Sequence, residues 1–192
     1  SGNGNDGSFG GAGDSGWSQG MQGGGITHIA DNDLIDLGDG LIEEQPAWTV
    51  ATWVKVPDTS VLGGGGFAGI LTKGWTGDMT FYCDINSLGV PTCRTWTPGQ
   101  TNHNGITVID DNSWHHIALA FDTTDVHFYV DGILQDTDAS GQAAENSIEH
   151  FAIGGFCGGA CGPQNYGLGQ IDGSIDETVL YYSKLDATQI NQ

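Results

Sequence analysis

Three stretches carry aromatic, amide and carboxylate side chains of the types that suit a sugar: Lys73–Asp78 (KGWTGD), Trp96–Asn104 (WTPGQTNHN) and Gly158–Gln170. Sugars present flat C–H faces and hydroxyl rims, which suit aromatic rings flanked by amides, carboxylates and small residues. The candidate ligand-binding residues are Trp75, Asp78, Trp96, Asn102, His103, Asn104, Asn165 and Tyr166. Loops on a rigid scaffold are where recognition usually sits. The structural alternative is that Trp75 and Trp96 pack beneath their loops.

The second chemical resource is carboxylate. The chain has 24 acidic residues against four Lys and Arg, a net charge of −20, and all but Glu43, Glu44, Glu145, Glu149 and Glu177 are aspartate. Aspartates among Gly and Asn make turns and keep a surface hydrated. They also suit calcium, a hard cation that takes oxygen ligands, and a salt-rich habitat fits the same composition. Nucleic acid is excluded as a partner because phosphate contacts need clustered Lys and Arg, and anionic membranes are disfavoured for the same reason. No apolar run is long enough to insert in a bilayer.

Catalysis finds no support. A retaining glycosidase needs two carboxylates about 5–5.5 Å apart, and none of the five glutamates falls in an alternating E-x-D-x-E pattern. Asp172 and Asp176 lie in a Gly/Ser turn context. There is no G-x-S-x-G elbow and no nucleophile–base pair at the cysteines. His115 and His116 read as adjacent strand histidines facing opposite sides. No catalytic residue is assigned, and a non-enzyme is expected.

Four cysteines form two near pairs, Cys83 with Cys93 in adjacent strands and Cys157 with Cys161 across Gly158-Gly159-Ala160. Two short disulfides in an oxidising compartment are the economical reading. Zinc is the rival, although the spacing is not C-x2-C and the local sequence supplies no histidine partners.

These groups need a scaffold. Residues 1–25 are Gly, Ser, Asn and Asp with few apolar anchors, a composition that suits a linker or loosely packed arm cut from a longer polypeptide. Residues 26–192 read as one domain of alternating strand and turn signals. Ala47–Val56 alternates cleanly, with Trp48, Val50, Thr52, Val54 and Val56 on one face and Thr49, Ala51, Trp53 and Lys55 on the other. Further strands are expected near 27–29, 34–37, 69–72, 79–85, 92–96, 106–108, 114–122, 126–130, 150–153 and 173–182. Asp131-Gly132 between two β-runs signals a hairpin. With no helical period over ten residues, the pattern is that of an all-β, antiparallel two-sheet sandwich.

Four motifs then bear on the family: TVATWVKV at 49–56, WHHIALAF at 114–121, FYVDGIL at 128–134 and GSIDETVLYYSKLDATQI at 173–190. In this order and spacing they resemble the laminin-G-like, concanavalin A-like lectin/glucanase superfamily of jelly rolls, closest to a microbial branch related to pentraxins. Most of this signature reads as structural: Trp114, Ile117, Leu119 and Phe121 as core, Leu185 and Ile190 as seats for the C-terminal end. The resemblance implies a structural calcium held by an early Asp-rich turn and the late I-D-E strand, here Asp31, Asn32 and Asp33 with Asp176. Ala30 stands where the family pattern has glycine.

The functional expectation is an extracellular or cell-surface binding and adhesion module, lectin-like, part of a larger secreted or surface-anchored polypeptide. Its partner is a glycan or a surface protein. The alternative is a structural or protein-binding domain of an adhesin, pilus or filament.

Overall fold

The computed structural model describes residues 8–10, 16–28, 34–59, 66–74, 79–96, 99–139, 147–156, 169 and 171–191. Among them, two seven-stranded sheets face each other. In chain order the strands are β1 (Ser8–Gly10), β2 (Gly16–Gln19), β3 (Gly24–His28), β4 (Leu34–Asp36), β5 (Ala47–Lys55), β6 (Phe67–Lys73) and β7 (Phe81–Asn86). They continue as β8 (Pro91–Trp96), β9 (Gln100–Asn104), β10 (Trp114–Asp122), β11 (Asp125–Val130), β12 (Ile133–Ala139), β13 (Phe151–Ile153) and β14 (Gly173–Tyr181), and a short helix α1 (Ala187–Ile190) follows. The first sheet runs β1-β4-β13-β6-β7-β8-β9 and the second β12-β11-β10-β5-β14-β3-β2. Every described pairing is antiparallel. This is the two-sheet jelly roll expected from the strand pattern.

The period-two pattern of β5 fixes which way that strand faces. Trp48, Val50, Thr52, Val54 and Val56 are all buried between the sheets, while Trp53 and Lys55 lie on the outer side. Trp48 stacks on Phe121 at 5.1 Å between centroids and meets Phe81 of the opposite sheet at 5.1 Å. Phe81 in turn meets Phe151 edge-on at 5.6 Å. Four aromatic rings thus tie the two layers together, the arrangement in which such pairs contribute beyond their buried area. Ile117, Leu119 and Phe121 join this core, but Trp114 does not: it shares the parity of His116 and is half-buried.

Two elements differ from the strand pattern read in the sequence. Ile106–Val108 is a connection, with Ile106 80% and Val108 53% exposed, and the strand lies instead at β9, whose sequence QTNHN has no apolar alternation. Backbone pairing with β8 and polar contacts to β12 make it a strand. His103 Nδ1 lies 3.1 Å from Asp138 Oδ2, and the Asn104 N–H donates to Asp136 Oδ2 at 2.9 Å. These contacts close the sandwich where β9 and β12, the end strands of the two sheets, come together. The second difference lies in the Gly-rich leader, where β1 and β2 are paired strands. Ordering there comes from the backbone ladder; Trp17 remains 76% exposed.

At the other end, α1 lies on the outer face of the second sheet. Ile190 packs on Ala51, Ala118, Ala120 and Tyr129, where three alanines leave room for the chain to sit down. Asp186 caps the helix by accepting from the Thr188 and Gln189 N–H groups. No described helix is long and apolar enough to cross a membrane.

Candidate functional site

Among the described residues, the outer face of the β7-β8-β9 end of the first sheet gathers a group of side chains suited to recognition. Direct cross-strand pairing sets Tyr82 opposite Arg94 and Asp84 opposite Thr92. On the next strand, Asn104 lies opposite Thr92, Asn102 opposite Arg94 and Gln100 opposite Trp96. Residues paired in this way share a face, so Trp96, Asn102 and Asn104 stand together with Tyr82, Arg94 and Gln100. The Tyr82 and Trp96 rings are 5.4 Å apart and tilted by 38°. The Arg94 guanidinium lies 4.7 Å from the Tyr82 centroid and also pairs with the Asp84 carboxylate. An arginine fixed by both a ring and an acid keeps its remaining donors aimed. Gln100 donates its amide to Asn102 Oδ1 at 2.7 Å, and Asn102 and Asn104 are exposed.

Electrostatics follow from burial. Asp84 is 1% exposed, and desolvation pushes its carboxyl above the ordinary value against the pull of Arg94. Desolvation likewise raises Tyr82, so its hydroxyl stays protonated and available as donor and acceptor.

His103 belongs to the opposite side of β9. It is fully buried, its Nε2 lies 2.9 Å from the Thr95 hydroxyl and its Nδ1 reaches Asp138. Burial lowers its pKa against the attraction of Asp138 and Asp136. Alternation along β9 separates it from Asn102 and Asn104, so it serves the sheet junction.

Trp75, Asp78, Asn165 and Tyr166 lie outside the described residues, as do Asp31, Asn32, Asp33, Cys157 and Cys161. Thr80 accepts from the Trp96 N–H and donates to Lys73 O, both at main-chain atoms, which sets Lys73 and Thr80 beside Trp96. Phe156 meets Tyr82 edge-on at 5.4 Å, and the Gly69 N–H donates to Gly169 O at 2.7 Å. Gly69 is required here, because a Cβ would lie 2.9 Å from the Gly155 carbonyl carbon. Sequence reasoning missed Tyr82 and Arg94; the signal was their even spacing from Asp84 and Trp96 along two adjacent strands.

The Cys83–Cys93 disulfide is present, between directly opposed residues of β7 and β8. Asp176 is the one proposed calcium ligand among the described residues. Its Oδ2 accepts from the Gln22 N–H at 3.1 Å and its Oδ1 from the Glu177 N–H at 2.9 Å. Among the described residues no group of three or more His, Cys, Asp or Glu side chains is placed to hold a metal.

A two-sheet antiparallel sandwich with a polar, aromatic outer face defines a class of jelly-roll domains. The chain belongs to the concanavalin A-like lectin/glucanase superfamily, whose laminin-G-type family model matches residues 30–191. No curated protein matches the sequence. Among solved structures, it is similar to the binding domain of Paraclostridial Mosquitocidal Protein 1, with a TM-score of 0.74 and 13% identity over 98% of this chain and 47% of that one. It thus spans about half the length of that toxin domain. Domain 4 of an extracellular arabinanase from Geobacillus stearothermophilus, solved with arabinotriose, gives 0.73 and 18% identity over 96% of this chain and 86% of that one. A heptameric pentraxin from Limulus polyphemus gives 0.58 and 14% identity over 76% and 68%. At such identities the likeness concerns the fold.

Proposed function

We propose that this chain is an extracellular, non-catalytic carbohydrate-binding module whose primary site is the outer face of β7-β8-β9. The observation that carries the reading is the placement of Tyr82 and Trp96 beside the fixed Arg94 guanidinium and the exposed Asn102, Asn104 and Gln100 amides. Rings supply flat apolar area, and the guanidinium and amides supply directed hydrogen bonds to hydroxyls. The arabinotriose bound to the arabinanase domain supports sugar as the ligand class, and the buried disulfide supports an oxidising compartment.

Titration calorimetry with arabinotriose, preceded by a glycan array, tests the site. Trp96→Ala is expected to weaken the best glycan at least about ten-fold, roughly 1.4 kcal/mol, while the unfolding temperature holds. An array without reproducible signal refutes the sugar reading. Calcium enters through Asp31, Asp33 and Asp176 together, so calorimetric melts with calcium and with excess chelator are compared; equal unfolding temperatures refute the ion.

The second reading, a protein-binding domain of an adhesin or filament, is favoured by one observation. Ile106 and Ile133 are 80% and 66% exposed, and Gln135 links their segments by accepting from the Ile106 N–H and donating to Ile133 O. Self-association or capture of a surface protein with a blank array supports it.

A further inference from the structure

The four sequence motifs that look purely structural converge on a single cleft of about 320 Å³ on the outer face of the second sheet. Trp53 comes from TVATWV on β5 and His116 from WHH on β10, and their rings stand 5.1 Å apart. Asp131 and Gly132, the turn of the Y-V-D-G motif, form a third wall. The I-D-E motif acts indirectly. Asp176 lies opposite Trp53 on β14 and accepts from the Gln22 N–H, which fixes the β2–β3 turn so that Gln22 faces the same cleft. Gly20 and Gly25 are what let that turn close over Asp176: a Cβ at either would lie 2.3 Å from its Oδ2 or 2.9 Å from Gly20 Cα. The C-terminal end adds Ile190 and Asn191, and the Asn191 side-chain amide donates to Gly132 O at 3.3 Å.

The chemistry of the walls narrows the ligand. Asp131 is held at both oxygens, Oδ1 accepting from the His116 N–H and Oδ2 contacting His115 Nδ1, both at 2.8 Å. These contacts hold the carboxylate in place as a fixed wall of the cleft. By contrast, among the described residues the Trp53 indole N–H and both ring nitrogens of His116 have no hydrogen-bond partner. Burial lowers the His116 pKa, so at neutral pH its ring offers one donor and one acceptor. The Gln22 side-chain amide adds one more of each. Donors and acceptors around an aromatic floor match a polyhydroxylated ring, and the Asp131 carboxylate in the wall, with the chain's net charge of −20, disfavours acidic sugars and leaves neutral ones.

We propose that this cleft is a second carbohydrate site, taking one neutral sugar residue against Trp53 and His116, on the opposite sheet from Tyr82 and Trp96. Two sites facing opposite ways let one module bridge two glycan chains, and their linkage raises avidity without new contacts.

The test is NMR titration of the intact chain with glucose, galactose, N-acetylglucosamine, arabinose and arabinotriose, each raised to roughly 50 mM so that a site with a Kd near 1 mM is saturated. The expected result is a saturable shift of the Trp53 indole N–H and His116 ring resonances with at least one sugar. Trp96→Ala should leave that shift in place. Gln22→Trp, which fills the mouth from an exposed turn, should weaken it at least ten-fold while the fold and the Trp96 response persist; Trp53→Phe, which keeps the ring and removes the donor, should weaken it too. No shift of Trp53 or His116 with any of the five sugars overturns the proposal, as does a shift that Gln22→Trp leaves unchanged. A Trp96 response without a Trp53 response refutes the second site alone, and loss of both refutes the primary site as well.

Discussion

Replacing His103 by leucine tests the reading of β9 as a strand held by polar contacts between the sheets. His103 is fully buried, with Nε2 2.9 Å from the Thr95 hydroxyl and Nδ1 3.1 Å from Asp138 Oδ2. Leucine fills similar space but leaves the buried Thr95 hydroxyl without this partner, a cost of about 1–3 kcal/mol. The pH dependence carries more information. Burial depresses the folded pKa of His103 below the ordinary 6.5, so the unfolded chain binds more protons there and stability rises with pH through that window. The contribution is complete above about 6.5 and is lost as pH falls toward the folded pKa, at up to about 1.4 kcal/mol per pH unit. His116, also lowered, acts in the same direction, whereas His115, raised through its contacts with Asp131 and Asp111, acts in the opposite one. Both are common to the two proteins. Urea unfolding of wild type and His103→Leu from pH 7.5 to 5 therefore isolates His103: leucine is less stable at pH 7.5, and the gap narrows on acidification. A gap that stays constant across the range refutes the assignment of a buried, neutral histidine at this junction.

Two further perturbations follow from the first sheet. Cys83→Ala with Cys93→Ala removes a crosslink between residues ten apart in sequence, expected to lower stability by roughly 3 kcal/mol on loop-closure grounds; a urea midpoint within error of wild type refutes a stabilising disulfide. Gly69→Ala drives a Cβ to 2.9 Å from Gly155 main chain, so the 154–156 strap must shift at a cost of about 1–3 kcal/mol. Amide exchange at Gly69, whose N–H donates to Gly169 O, should accelerate in this variant, and unchanged protection counts against the close approach.

Much of the fold was legible in local pattern. The alternation of β5 and the Ile117, Leu119, Phe121 series state which residues face inward, because side chains on a strand point to opposite faces in turn. Asp131-Gly132 marked its hairpin for a similarly local reason: Asp131 and Gly132 both take positive φ, at 50° and 70°. β9 was not legible, since QTNHN has no apolar residue and its inward positions are filled by Thr101 and His103. Nor were β1 and β2, whose order rests on main-chain hydrogen bonds that glycine-rich composition does not announce.

The candidate sites divide along the same line. Trp96, Asn102 and Asn104 stood out by residue type, but type does not reveal parity, and parity on β9 sends His103 inward and the two asparagines out. Tyr82 and Arg94 meet only because β7 and β8 pair in one register. The same holds for the second cleft. The sequence by itself determined that Trp53, His116, Asp131 and Asp176 belong to strands of one jelly roll. Only the tertiary structure decided that they share a cleft, because the order β11-β10-β5-β14 sets side by side strands more than a hundred residues apart in the chain, and strand order depends on which edges pair and not on any local signal.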